Sequence, residues 1–353
     1  MFKTLRNAWA IPDLRKKLLF TIFMLVIFRL GSVIPVPGLD PNAMKAFMSG
    51  DGGMGLLTLL DTFTGGAFSN ATIFAMGITP YINASIIMQL LTVAIPALER
   101  MQKEGEEGRK KINSFTRYGT VVLALIQAVG LYFTLQNSQV VSQPGIMSFL
   151  VIALTFTAGT AFVMWVGEQI TEKGVGNGIS LLIFAGIVSR GPHMIVTLYN
   201  QFLGANMSIG SVITLVLVIA LFLAVLGFVV FMNNAERRIP VQYAKRVVGR
   251  KMYGGQSTNI PIKVAMAGVI PIIFASSILS FPATIAQFMG GMPTEGFWAG
   301  FFHALSTDSW VYVVLYFLLI IFFTYFYTAM QFNPVEMSNN IKKNGGFVPG
   351  IRP

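Results

Sequence analysis

Ile78, Ile82 and Ile86 recur every four residues, which puts three β-branched side chains on one helical face. Ile179 and Ile183 repeat that spacing further along the chain. Such a face either packs against a neighbouring helix or forms an apolar constriction that excludes water and ions. Groups that do covalent or ion chemistry are missing from the apolar runs. Serines occur there, but no His or carboxylate stands at the same depth to activate them, so the chain is not expected to be an enzyme. Glu168 and Glu172 fall at or beyond the end of a run, and no run has an Asp or Glu at its centre, which argues against an ion-coupled carrier. The chain has no cysteine, and His193 and His303 lie far apart, so no metal site and no cofactor is expected.

The remaining chemistry is electrostatic. Residues 233–263 carry Arg237, Arg238, Lys245, Arg246, Arg250, Lys251 and Lys263 against a single acid, Glu236. The stretches IPVQYAKRVV and RKMYGG read as strands, with Gly249-Arg250 at a hairpin tip. An exposed basic finger suits docking of an acidic protein or RNA, and binding to a membrane surface is its other use. Gly174-Val175-Gly176-Asn177-Gly178 superficially matches a phosphate-cradling loop. No strand precedes it and an apolar helix follows, so it reads as a tight turn.

The elements that position these residues are membrane spans. The 353 residues are 54% hydrophobic and 11% charged, with a mean hydropathy of +0.68, against about 25% charge in soluble domains. The apolar runs are too long for a lipid-facing barrel, and the fold class is an all-α polytopic membrane protein. Eight spans are expected, at 18–34, 72–93, 115–133, 148–167, 179–198, 211–232, 264–288 and 309–332. All Lys and Arg except Arg29, Lys45 and Arg190 then fall on the side of the N-terminus, which makes that side cytoplasmic.

Residues 1–17 read as an amphipathic helix at the cytoplasmic interface. A cleavable signal peptide does not fit, because Pro35-Val36-Pro37-Gly38 follows the first apolar run in place of a small-residue cleavage site. Arg29, near the outer end of the first span, reads as snorkelling to the headgroups. Residues 61–71 form a Gly-broken apolar segment headed by Asp61, too short to span and tolerated at membrane depth only inside protein or a water-filled cavity. The mixed-charge stretch 94–114 reads as a solvated connector. Gln89 and Gln127 are single amides at depth, expected to hydrogen-bond between helices. Pro271 and Pro282 invite kinks on either side of Ser276 and Ser277. The tail 333–353 ends in a basic Gly/Pro-rich loop expected to have no structure of its own.

The stretches FTGGA (63–67), FAMGITPYINASIIMQLL (74–91), KEGEEGRKKINSFTRYGT (103–120), MWVGEQITEKGVGNGIS (164–180), QYAKRVVGRKMYGGQST (242–258), AGVIPIIFASSILSFPATIA (267–286) and FVPGIRP (347–353) resemble the bacterial SecY family, end to end and in register. That family forms the central subunit of the Sec protein-conducting channel. The resemblance implies two pseudo-symmetric halves in a clam-shell around a central pore, here 18–198 (spans 1–5) and 199–332 (spans 6–8). The family has ten spans, so the second half is incomplete, and 333–353 begins a second large cytoplasmic loop. Ile78, Ile82, Ile179, Ile183 and Ile273 correspond to the pore ring. Residues 61–71, with Phe63, Thr64, Gly65, Gly66 and Ala67, correspond to the plug. Ile86, Gln89, Gln127, Ser276 and Ser277 fall in the lateral gate. Docking of the SecA motor and the ribosome maps to Arg237, Arg238, Lys245, Arg246, Arg250, Lys251 and Arg352. SecE and SecG are the implied companion subunits. Signal sequences, nascent chains and membrane lipid are the implied clients, and the bacterial cytoplasmic membrane the location. A non-conducting fragment that only binds Sec partners and a small-solute carrier are the alternatives.

Overall fold

The computed structural model describes residues 9–49, 61–204, 209–243, 246–248, 251–253, 257–288, 300–301, 304–305, 309–332, 334–343, 346–347 and 349. They fall into two compact units, Met1–Val196 with Ser277–Val313, and Thr197–Ser276 with Val314–Pro353.

In the first unit, α1 (Pro12–Gly31) opens with proline in its first turn, where the missing N–H has no partner to lose. Arg15, Lys16 and Lys17 occupy its early turns, so this basic stretch is continuous with the helix expected as the first span. After α2 (Pro41–Ser49), the chain enters the broken segment and then α3 (Thr79–Ala94). This second span starts at Thr79, not at 72, because Gly77 is left-handed (φ +55°) and Pro80 sits in the first turn.

The 94–114 stretch is largely exposed, in keeping with a solvated connector, and it is helical. Ile95 is extended, as a residue before proline prefers, and α4 (Pro96–Lys103) leaves α3 at 101°. Lys103 donates to Glu99 at 2.6 Å, and this hydrogen bond and charge hold the Glu99 carboxyl below its ordinary pKa. Gly105 (φ +87°) separates α4 from α5 (Glu106–Asn137). With 32 residues α5 is longer than the ~20 a bilayer needs, so its charged first turns project from the membrane.

α6 (Ile146–Lys173) packs against α5 and α1. The glycine-rich turn after α6 is a tight turn, as its sequence implies. Val175 N–H donates to Thr21 Oγ1 (3.1 Å), Gly178 N–H to Thr171 Oγ1 (2.9 Å), and Ser180 N–H to the Asn177 Oδ1 cap (3.1 Å). α7 (Gly178–Ser189) packs on α6, and Arg190 caps its C-terminus before α8 (Gly191–Leu203).

The second unit holds α9 (Ile209–Asn234) and a small antiparallel sheet ordered β4-β1-β5. β1 (Glu236–Tyr243) pairs with β4 (Ser257–Lys263), from Glu236 opposite Lys263 to Gln242 opposite Ser257. Between them, β2 (Arg246–Val248) pairs with β3 (Lys251–Tyr253). The tail has structure after all: α12 (Pro334–Lys343) precedes β5 (Gly346–Phe347), which adds to the free edge of β1. α10 (Ile270–Phe288) and α11 (Trp310–Gln331) each carry residues of both units. Pro271 lies in the first turn of α10, where it costs no internal bond; Pro282 alone lies in its interior.

Among the described residues, five helices are long and apolar enough to cross a membrane: α5, α6, α7 with α8, α9 and α11. Counted as one bent span, the α3–α4 pair would make a sixth.

Candidate functional site

Four of the five expected ring isoleucines converge. Ile78 is buried in a core with Met24 and Phe28 of α1, Phe74, Val163, Val166 and Ile170 of α6, and Leu182 of α7. Ile82, Ile179 and Ile183 pack against that same core while staying partly exposed. Ile78 caps α3 and Ile82 follows one turn later, while Ile179 and Ile183 open α7. The two four-residue repeats therefore meet in space. Ile273, on α10, belongs to the second unit.

Against the C-terminal end of α7 lies the broken segment. Residues 61–64 make one helical turn and 65–78 continue in turns. Gly65 (φ +67°) and Gly66 (φ +88°) take the left-handed backbone these turns require. The segment is enclosed by protein, as its polarity demands. Thr64, Gly65, Gly66 and Ala67 are buried, and Phe63 is the exposed member of the five. Phe68 and Ala71 sit in a second core with Val36, Met44, Leu135 and Phe156. Ile73 N–H donates to the Ile34 carbonyl and Val36 N–H to the Ala71 carbonyl, tying the segment to the outer loop.

The segment is also held by Arg29, expected to snorkel, and by Arg190 and Ser189, for which the sequence suggests no role. The Asp61 side chain is 4% exposed; it accepts from the Arg190 guanidinium through Oδ2 and from Ser69 N–H through Oδ1 at 2.8 Å. Arg29 has partners within the protein. Its Nη1 donates to the Gly65 carbonyl and to Ser189 Oγ, both at 3.2 Å. Ser189 in turn donates to the Gly186 carbonyl at 2.7 Å. A Cβ on Gly65 would stand 2.7 Å from the Gly186 carbonyl oxygen, so the two backbones touch. The one signal the sequence held for this seat is charge: Arg29 and Arg190 are two of the three cations expected away from the basic side, and Asp61 heads the segment expected there.

Ile86 is buried on α3. Gln89 bonds within its own helix, Nε2 to Ser85 Oγ at 3.4 Å, in place of the interhelical bond expected, and its Oε1 is buried without a partner. Gln127 is half-buried on α5, which packs on α3. Ser276 Oγ donates to the Ile273 carbonyl at 2.9 Å along α10, and Ser277 follows it there. An apolar cavity of about 600 Å³ lies between α1 and α6, lined by Ile27, Leu30, Phe74, Ala158 and Phe162, and it includes none of the five isoleucines.

Arg237 and Arg238 are exposed on β1, and Arg246 and Lys251 lie on the β2–β3 pair. Lys245, Arg250 and Arg352 lie outside the described residues. The β1–β5 pairing brings the two expected docking segments into one sheet.

A family model described as SecY matches residues 72–353. Over its whole length the chain is 47% identical to the protein translocase subunit SecY of Streptomyces galbus and spans 82% of it. Among solved structures, one described as a protein conducting channel matches with a TM-score of 0.62 at 20% identity, over 96% of this chain and 78% of the other. Another, whose plug domain is described as stabilizing the closed state of the SecY channel and maintaining a membrane seal, matches with a TM-score of 0.61 at 19% identity, over 96% and 78%. At these identities the structural likeness shows the fold.

Proposed function

Because the chain belongs to the SecY family and is a protein-conducting translocon subunit of the membrane, we propose that Ile78, Ile82, Ile179, Ile183 and Ile273 form its pore ring. The observation that carries this reading is the meeting of the first four around one apolar core, next to the enclosed segment 61–71 that seats on the other end of α7.

An isoleucine ring gates by dewetting and by fitting around whatever crosses it. Isoleucine is bulky and stiff at χ1 and offers no polar atom to an ion. Residues 61–71 are the plug that covers the outer side at rest. Ile86, Gln89, Gln127, Ser276 and Ser277 line the lateral gate, through which a segment chooses between pore and lipid. At a span centre each Leu contributes roughly −0.3 to −0.6 kcal/mol and one Arg costs roughly +2.5 to +3.5 kcal/mol. One charge therefore offsets about five leucines or more, enough to separate secreted from membrane segments. The pore supplies no free energy, so a motor or an elongating ribosome drives transport. The basic sheet, with Arg237, Arg238, Arg246 and Lys251, is its docking surface, together with Lys245, Arg250 and Arg352. SecE and SecG complete the channel, SecA is the motor, and the N-terminus faces the cytoplasm of a bacterium.

Vesicles carrying this protein with SecE and SecG test the reading. SecA and ATP should drive a precursor with a signal sequence into a protease-protected state. Partner binding without protection would identify a non-conducting subunit, and saturable uptake of a small solute without precursor would identify a carrier.

A further inference from the structure

We propose that Arg190 and Arg29 are positioning residues that latch the plug shut, and that Arg190 does so through its charge on Asp61. The inference rests on the reading of 61–71 as the plug and adds what holds it.

Three observations carry the latch. First, Asp61 is nearly fully buried, and its two oxygens divide the work. Oδ1 accepts the Ser69 N–H, which folds the plug on itself, and Oδ2 takes the Arg190 guanidinium, which ties the plug to α7. An unpaired carboxylate at such a site is costly, so the closed state depends on its partner being in place. Second, Arg29 reaches from α1 to the Gly65 carbonyl and Ser189 Oγ, so the plug is gripped from two helices. Third, Ile179, Ile183, Gly186 and Arg190 follow one another at four, three and four residues along the α7 span, a single helical face. That face meets the isoleucine cluster at its inner end and the plug at its outer end. A movement of α7 that widens the ring therefore withdraws the plug's seat in the same step. The latch makes plug release a consequence of ring opening.

The test uses the assembled translocon in vesicles without precursor and reads ion leak. Asp61→Asn keeps an acceptor for the Ser69 N–H but loses the charge. Arg190→Met keeps the stem and loses the charge, and Arg190→Lys keeps the charge. Both neutral variants should raise leak about tenfold, the open fraction shifting by about 1.4 kcal/mol, and Arg190→Lys should return it most of the way. Deletion of 61–71 is the reference. Leak from the deletion but not from the neutral variants overturns the latch and leaves the plug standing. Equal leak from Arg190→Met and Arg190→Lys also overturns it, since packing and not charge would then hold the seat. If the deletion itself does not leak, the plug reading falls and the latch with it.

Discussion

Gly186 of α7 faces the carbonyl oxygen of Phe63 so closely that a Cβ on the glycine would overlap that oxygen. A helix interior ordinarily gains about 1 kcal/mol when glycine becomes alanine. Here the extra methyl pushes against backbone, which has no rotamer to yield. Gly186→Ala should therefore cost more in overpacking than the helix gains, and unseat the segment. Ion flux through the assembled channel checks this: leak should rise and the melting temperature should fall. An unchanged leak would mean that the segment moves aside without breaking the seal.

Asn177 caps α7 one residue before the helix begins, accepting the Ser180 N–H at 3.1 Å. Asn177→Ala should destabilise the protein by about 1 kcal/mol, and Asn177→Asp or Asn177→Ser should recover most of it. Because Ile179 lies in the turn that this cap secures, the alanine variant should also loosen the ring end of α7. Denaturation in detergent, read alongside ion leak, measures both effects.

Tyr243 stands opposite Gly346, and Gln242 opposite Phe347, where the tail joins β1. Directly paired residues place their Cβ atoms about 4.5–5.5 Å apart. With no native cysteine to interfere, the pairs Tyr243→Cys with Gly346→Cys and Gln242→Cys with Phe347→Cys should each form an intramolecular disulfide on mild oxidation. Mobility on a non-reducing gel after proteolysis between the two segments detects it. Failure of both pairs would remove the strand pairing and leave the docking surface without its third strand.

Arg117 Nε donates to Glu168 Oε1 at 2.7 Å between α5 and α6, with the arginine side chain half exposed. Exposed pairs of this kind contribute about 0–1 kcal/mol. Arg117→Ala should accordingly lower the melting temperature by no more than a few degrees and leave ion leak unchanged. A large loss of either would give this pair a role its exposure does not support.

Much of this fold was legible because its signals are local. Apolar runs mark the five described helices long and apolar enough to cross a membrane. The Ile78–Ile82 and Ile179–Ile183 repeats mark two faces that meet in the folded chain. Three features were not legible, each for a physical reason. The helicity of the exposed connector after Ala94 went unread, although Pro96 is well placed to open a helix and Glu99–Lys103 to support it. Arg29 looked like a headgroup contact, because nothing nearby in sequence announces a carbonyl at Gly65 as its partner. β5 pairs with a strand about a hundred residues away, and a two-residue strand has no pattern to read. For Arg29 and for β5 a long-range contact replaced the lipid or solvent that a charged or irregular stretch would otherwise face, whereas α4 stays in solvent and only its helical form was missed.

The most direct measurement is the ionic conductance of the assembled translocon, without precursor, when Ile82, Ile183 and Ile273 are replaced singly by serine. Each change should admit water to the waist, raise the leak and relax discrimination against weakly apolar signal sequences. Folded, membrane-inserted variants that conduct no more than the unmodified channel would contradict the assignment of these isoleucines to the pore.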